Sequence, residues 1–227
     1  MKAVILVAGR GTRMGNLTDN VPKPMLKIIG KPILEHKLES LPEEINEVIL
    51  IVGYKKEIIK NYFGNKHKNL KIIYIEQKQL NGTGGALKLA EDYLEDRFLV
   101  LMGDDLYKKE DLKRLLKNKF AILTYETENA RQFGFIEMDS DGNLLNIKER
   151  PHNENRRFVN IGAYVISKSY FKQEMVKISD SEYGLPQTLV SMKDKCDIRI
   201  LKTKNWQPIG SPSDLKKAEK VINNFIN

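Results

Sequence analysis

Four short, almost wholly apolar runs separated by amphipathic stretches decide most of what this chain can become. Ala3–Ala8, Glu47–Val52, Leu70–Ile75 and Phe98–Met102 carry β-branched or aliphatic side chains on consecutive positions, so both faces of each strand must be covered. Helix-period stretches at Ile33–Leu41, Lys56–Phe63, Gly85–Leu94 and Lys109–Lys117 lie between or just after them. Strands alternating with helices predict an α/β fold, a Rossmann-like three-layer sandwich around a mostly parallel sheet. After Phe120 the pattern changes. Phe133–Asp139 and Leu144–Glu149 alternate on either side of Asp141-Gly142, which predicts a small antiparallel insert. Phe158–Ser167 reads as another strand, Lys168–Glu174 and Gly184–Met192 as helices, and Asp197–Lys202 as a late strand. Pro212–Phe225 reads as a closing helix with proline in its first turn. No linker, repeat or low-complexity stretch breaks residues 1–227, so one domain is expected, with halves over 1–118 and 119–227 forming the two walls of a cleft.

Composition narrows the function classes. Lys+Arg number 38 against 30 Asp+Glu, a net charge of +8. Half of that excess sits in residues 10–37, where Arg10, Arg13, Lys23, Lys27, Lys31 and Lys37 face only Asp19 and Glu35. There is no block of basic residues, no zinc-finger spacing and no RNP-like aromatic motif, so a nucleic-acid partner is not expected. Cys196 is the only cysteine, which excludes a disulfide framework. His36, His67 and His152 have no metal-ligand spacing. No apolar run approaches the roughly 18 residues of a membrane span. A cytoplasmic protein without a membrane partner is expected.

The N-terminal charge is concentrated around glycine and proline. Val7-Ala8-Gly9-Arg10-Gly11-Thr12-Arg13-Met14 follows the first strand, and Pro22-Lys23-Pro24 comes shortly after. Small residues let a backbone approach a ligand closely, and exposed N–H groups there cradle phosphate oxygens. Met14 stands where a dinucleotide fingerprint needs glycine, and no Gly-Lys-Ser/Thr is present for a Walker loop. Two fixed cations near a phosphate cradle suit a triphosphate.

Gly9-Arg10-Gly11-Thr12-Arg13-Met14 with Val21-Pro22-Lys23-Pro24-Met25-Leu26 resembles the signature of the sugar-1-phosphate nucleotidylyltransferases. Further motifs follow in order: Glu76-Gln77 with Gly82-Thr83-Gly84-Gly85-Ala86-Leu87, then Gly103-Asp104, Phe133-Gly134-Phe135, Glu149-Arg150-Pro151, Asn160-Ile161-Gly162 and Glu182-Tyr183. The resemblance implies the glycosyltransferase-A-like fold of nucleotide-diphospho-sugar transferases. It also implies transfer of a nucleoside monophosphate from an NTP to a sugar 1-phosphate, releasing pyrophosphate. On that reading Arg13, Lys23 and Asp104 are catalytic, and Asp104 holds Mg²⁺. Ala8, Gly9, Gly11, Thr12, Arg13, Gln77, Gly82 and Thr83 bind the nucleotide, while Gly134, Glu149, Asn160 and Glu182 bind the sugar. An amide at Gln77 matches the imide edge of uracil or thymine, which favours UTP or dTTP.

Two positions depart from the family pattern. Trp206-Gln207-Pro208-Ile209-Gly210 places proline where the family's Trp-x-Asp-x-Gly carries a second metal ligand, and Gln187 stands where an aspartate is expected after Glu182-Tyr183. Guanylyl transfer to mannose or heptose 1-phosphate and cytidylyl transfer to choline phosphate are the alternatives within the same chemistry. A non-catalytic nucleotide-sugar sensor is the alternative of a different class. A homo-oligomer is left open. The chain is expected to lack the β-helical acyltransferase domain of longer relatives.

Overall fold

The computed structural model describes residues 1–226. The first apolar run forms β1 (Lys2–Val7), whose carboxyl end enters a 3₁₀ segment (Thr12–Thr18) kinked at Gly15. A second 3₁₀ turn (Lys23–Met25) leads to the hairpin β2 (Lys27–Ile28) and β3 (Lys31–Pro32), then to α1 (Ile33–Glu39). The chain continues through β4 (Glu47–Val52), α2 (Lys56–Phe63), β5 (Lys66–His67), β6 (Leu70–Glu76), α3 (Gly82–Lys88) and β7 (Arg97–Met102). Next come β8 (Asp105–Tyr107), α4 (Lys109–Leu115), β9 (Ala121–Thr127), β10 (Phe135–Met138), β11 (Leu144–Lys148) and β12 (Arg157–Ser167). The last elements are α5 (Leu185–Val190), β13 (Arg199–Thr203), β14 (Trp206–Pro208), α6 (Pro212–Val221) and α7 (Asn223–Ile226).

The parallel strands run in the spatial order β7-β1-β4-β6. Successive crossovers therefore move outward from β1 to β6, and the next strand returns to the opposite side of β1. Ligands of open α/β sheets bind at such a reversal, outside the carboxyl ends of the strands. Here that point lies between β1 and β7, where the glycine loop and Gly103-Asp104 emerge. Side chains of β1 alternate between two apolar layers, Ala3, Ile5 and Val7 in one and Val4 and Leu6 in the other. Both faces of the sheet are covered, as the unbroken apolar runs require.

The antiparallel part continues the same ten-stranded sheet, so residues 1–118 and 119–226 share one framework. β12 pairs with β7 through Ala163–Ser167, and its register against β9 shifts between Asn160 and Tyr164. Gly162 takes φ +72 there, with the Met102 side chain filling the space of a Cβ. The bend carries Asn160 over the cleft. The expected hairpin forms as β10–β11. Asp139 Oδ1 accepts the N–H groups of Asp141 (3.0 Å) and Asn143 (2.7 Å) to close its turn.

Several expectations are corrected. β9 was not anticipated, because its apolar run Ala121–Leu123 is short and passes directly into the polar Thr124–Thr127. The stretch expected as a helix at Lys168–Glu174 is a 3₁₀ segment, Lys168–Lys172. The helix expected over Gly85–Leu94 starts at Gly82 and stops at Lys88, with a 3₁₀ turn at Glu91–Tyr93. Small residues at Gly82 and Gly84 let its first turn dock on another loop, Gly84 N–H donating to the Tyr183 carbonyl at 2.8 Å. The closing helix is split into α6 and α7, α6 being capped by Ser211, whose hydroxyl accepts the Asp214 N–H.

Candidate active site

The glycine loop is shaped by the lysine beneath it. Gly11 adopts φ +73, and a Cβ there would stand 2.8 Å from the Lys23 Cβ. A side chain at this position would meet both backbone strain and a clash, so Gly11→Ala is expected to cost about 2 kcal/mol. Urea denaturation of the variant checks this; a change under a quarter of that value would contradict the tight approach. Gly103 makes the matching approach from β7. Its N–H donates to the Leu6 carbonyl at 3.0 Å, where a Cβ would be only 2.7 Å from that oxygen. The two strand ends are thus drawn together, and Asp104 is delivered opposite Lys23.

Lys23 Nζ donates to Asp104 Oδ2 at 2.6 Å, with the lysine side chain 8% exposed and the aspartate 35%. Pro22 is extended and Pro24 sits inside the 3₁₀ turn, so the backbone on both sides of the lysine has little freedom. Gly9, Gly11, Thr12, Arg13, Lys23 and Asp104 line a cavity of about 300 Å³. Arg13, Asp104 and Gly210 also border a second cavity of about 710 Å³, so the two form one cleft. The wall of the second cavity includes Thr83, Gly134, Glu149, Asn160, Tyr164 and Gln187.

The polar groups of this wall are held from behind. The Thr83 hydroxyl accepts the Leu185 N–H at 3.1 Å, leaving its own proton to donate. Asn160 Oδ1 accepts from Gly162 N–H (3.2 Å) and Tyr164 OH (2.9 Å), leaving its amide N–H groups facing the cavity. Gln187 donates to Glu149 Oε1 at 3.3 Å. A Cβ on Gly134 would stand 2.7 Å from the other Glu149 oxygen, so glycine there leaves room for the carboxylate.

Four expected site residues do not line either cavity. Ala8 is buried behind the loop, and its carbonyl accepts the Tyr54 N–H at 3.0 Å. Gln77 is 7% exposed and donates to Asn81 Oδ1 at 2.9 Å and to the Gly82 carbonyl at 3.4 Å, so it braces the loop before α3. Gly82 turns that loop at φ +82. The Glu182 carbonyl closes a turn by accepting the Ile178 N–H at 2.9 Å.

One residue beneath the site was missed. Lys37 of α1 is 1% exposed, and its ammonium donates to the Asp105 main-chain carbonyl. Its spacing from Ile33 and Leu34 puts it on the apolar face of the helix, a signal the sequence carried. Burial pushes Lys37 down to about 8, opposed by the Asp105 and Asp104 carboxylates. Burial, and then the charge of Asp104, pushes the Asp105 carboxyl up to about 7. An acid raised in the folded state keeps a proton that the unfolded chain has released, so its contribution to stability falls as pH rises from about 4 to about 7. For lysine lowered to about 8 the sign reverses, and stability rises between about 8 and 10.5. In ligand-free protein, the stability of wild type relative to Asp105→Asn is therefore expected to fall from pH 4.5 to 7. Melting curves across that range check it; a rising difference would contradict the assignment.

The donor set at Asp104 fits a hard divalent cation. Oδ2 accepts a hydrogen bond from the Lys23 ammonium, and the side chain is open to the cleft. The facing strand offers Pro208 rather than a carboxylate, since β14 pairs with β8 so that Pro208 stands opposite Asp105. A site of one or two carboxylates completed by phosphate oxygens and water is the arrangement Mg²⁺ accepts. Elsewhere, Glu35, Glu39 and His67 also come within mutual reach. There, however, Glu39 is paired with Lys31 at 2.9 Å and with Lys68, and Tyr62 OH donates to Glu35 at 2.7 Å.

Comparisons with known proteins bear on the family and the fold. The profile of a family described as nucleotidyl transferase matches residues 2–224. The bifunctional protein GlmU of Methanocaldococcus jannaschii is 37% identical over 230 residues, covering 100% of this chain and 55% of the relative. The chain thus spans about half the length of such relatives. The UTP–glucose-1-phosphate uridylyltransferase AglF of Haloferax volcanii is 28% identical over 234 residues, covering 98% of this chain and 96% of AglF. A solved structure of a UDP-glucose pyrophosphorylase complexed with UDP-glucose superposes with a TM-score of 0.82, covering 98% of both chains at 19% identity.

Proposed function

Because the chain belongs to the nucleotidyl transferase family, we propose that it transfers a nucleoside monophosphate from an NTP to a sugar 1-phosphate, releasing pyrophosphate. The observation that carries this reading is the Lys23–Asp104 pair at 2.6 Å, set at the strand-order reversal with the glycine loop on one side. In-line attack of a sugar-phosphate oxygen on the α-phosphorus asks the protein mainly for alignment and charge neutralisation. The Gly9–Thr12 backbone wraps the phosphates, and Arg13 neutralises the departing pyrophosphate. Lys23, locked by prolines and Asp104, meets charge at the transferring phosphoryl. A divalent cation, Mg²⁺ by the hardness of its oxygen ligands, would be held by Asp104 and would add charge neutralisation. The sugar is received by Gly134, Glu149 and Asn160, which offer donors and acceptors for hydroxyls.

UTP or dTTP is the preferred donor. AglF is named for UTP. A glucose-type sugar 1-phosphate is the preferred acceptor on the same ground. No described helix is long and apolar enough to cross a membrane, and the one cysteine is free; a cytoplasmic site of action is consistent with both.

Pyrophosphate release across a panel of NTPs and sugar 1-phosphates tests the reading. Turnover with UTP or dTTP supports it, and turnover with GTP alone would replace the uridylyl assignment by a guanylyl one. Pro208 in place of a carboxylate favours one second reading, a nucleotide-sugar sensor without catalysis. That reading requires NTP or NDP-sugar binding by calorimetry with no pyrophosphate formed.

A further inference from the structure

Helix α1 carries a lysine where its packing would take an apolar residue. Lys37 shares the buried face with Ile33, Leu34 and Leu38 and is 1% exposed. A buried ammonium is costly unless its surroundings answer the charge. Its hydrogen bond runs to the main-chain carbonyl of Asp105, and the ammonium lies 4.3 Å from the centre of the Tyr107 ring, a cation–π distance. Tyr107 is fixed at its far end by donating its hydroxyl proton to the Ile161 carbonyl at 2.7 Å. The same helix packs against the turn that bears Lys23. One helix therefore backs both members of the Lys23–Asp104 pair.

The facing strand explains why a side-chain donor is needed. Pro208 stands opposite Asp105 in the β8–β14 register. Proline has no N–H, so the two stand as a non-hydrogen-bonded pair and the Asp105 carbonyl points away from β14. Asp105 directly follows Asp104, and its carbonyl sets where the turn after Gly103 ends and β8 begins. We infer that Lys37 is a positioning residue for Asp104. It supplies a donor to the carbonyl that β14 does not reach, and its charge offsets the adjacent carboxylates of Asp104 and Asp105. This rests on the reading of Asp104 as the ligand of a divalent cation in nucleotidyl transfer.

Two variants test it. Lys37→Met removes donor and charge at nearly constant volume, and Lys37→Gln keeps a donor without charge. The readouts are kcat, KM for the sugar 1-phosphate, the melting temperature, and Mn²⁺ affinity of the UTP-bound protein by electron paramagnetic resonance. Lys37→Met is expected to weaken Mn²⁺ binding and lower kcat by about tenfold each, in the range of changes behind a metal ligand. KM for the sugar phosphate should stay within about twofold, and the melting temperature should not fall, since losing a buried charge is often neutral or stabilising. Lys37→Gln should lie between Lys37→Met and wild type. Wild-type Mn²⁺ affinity and kcat in Lys37→Met would overturn the inference. Equal losses in both variants that track a lowered melting temperature would overturn it as well, because they describe a structural role only. If Lys37→Met does not fold, Lys37→Gln decides alone: weakened Mn²⁺ binding at an unchanged melting temperature supports the inference, and wild-type binding overturns it. Failure of the underlying reading is distinguishable, because wild type itself would then release no pyrophosphate.

Discussion

Lys23→Met is expected to lower kcat for nucleotidyl transfer by about 10²–10³-fold while the protein stays folded. A fixed donor aimed at developing charge in a water-poor cleft contributes about 2.7–4 kcal/mol to a transition state. Lys23 is well suited to that contribution, since its side chain is 8% exposed and its ammonium is already held 2.6 Å from Asp104. Methionine fills the volume beneath Gly11, so the loop keeps its support. The stability change should stay within about 1 kcal/mol, because Asp104, at 35% exposure, can be rehydrated when its partner is lost. Steady-state kinetics beside thermal melts separates the two effects. A loss of activity under fivefold, or one explained by unfolding, would contradict the role given to Lys23.

The second large effect is expected at Asp104. Asp104→Asn preserves shape and can still accept the Lys23 proton, but it removes the negative charge. A fall in kcat of about 10²-fold at saturating Mg²⁺ is expected, with a higher Mg²⁺ requirement, the size of effect a displaced metal-centred charge produces. Stability should hold or improve, since the raised Asp105 carboxyl loses a like charge beside it. Activity and stability would thus move in opposite directions. An unchanged Mg²⁺ requirement together with a lower melting temperature would show Asp104 to be a structural residue.

Much of this site could be read from local chemistry. Gly11, Lys23 and Gly103-Asp104 carry their constraints in residue type: a left-handed turn, a lysine fixed between prolines, and a glycine that lets two strand ends meet. The parallel strands were equally legible, because burial on both faces demands unbroken apolar runs. What escaped depends on pairing distant in sequence. The position of β7 beside β1 rather than beside β6 places the site, and nothing in either strand announces it. β9 is buried between β12 and β13, yet its apolar run is only Ala121–Leu123 before it turns polar. Lys37 lies on an apolar helical face but counts only as one more charge of the basic cluster over 10–37 until Asp105 and Tyr107 come to meet it. Gln77 fits a base-pairing role by composition, and only the fold reveals that its N–H groups brace the loop at Asn81 and Gly82. Pro208 was legible as a missing ligand; its register opposite Asp105 was not.

The central claim is that the cleft joins an α-phosphate to a sugar phosphate. The direct measurement uses UTP labelled at the α-phosphate, incubated with Mg²⁺ and glucose 1-phosphate and resolved for product and pyrophosphate. The expected result is label in a UDP-sugar, formed one for one with pyrophosphate and only when the sugar phosphate is present. Label recovered as UMP, or left in UTP across every sugar 1-phosphate supplied, would contradict the account.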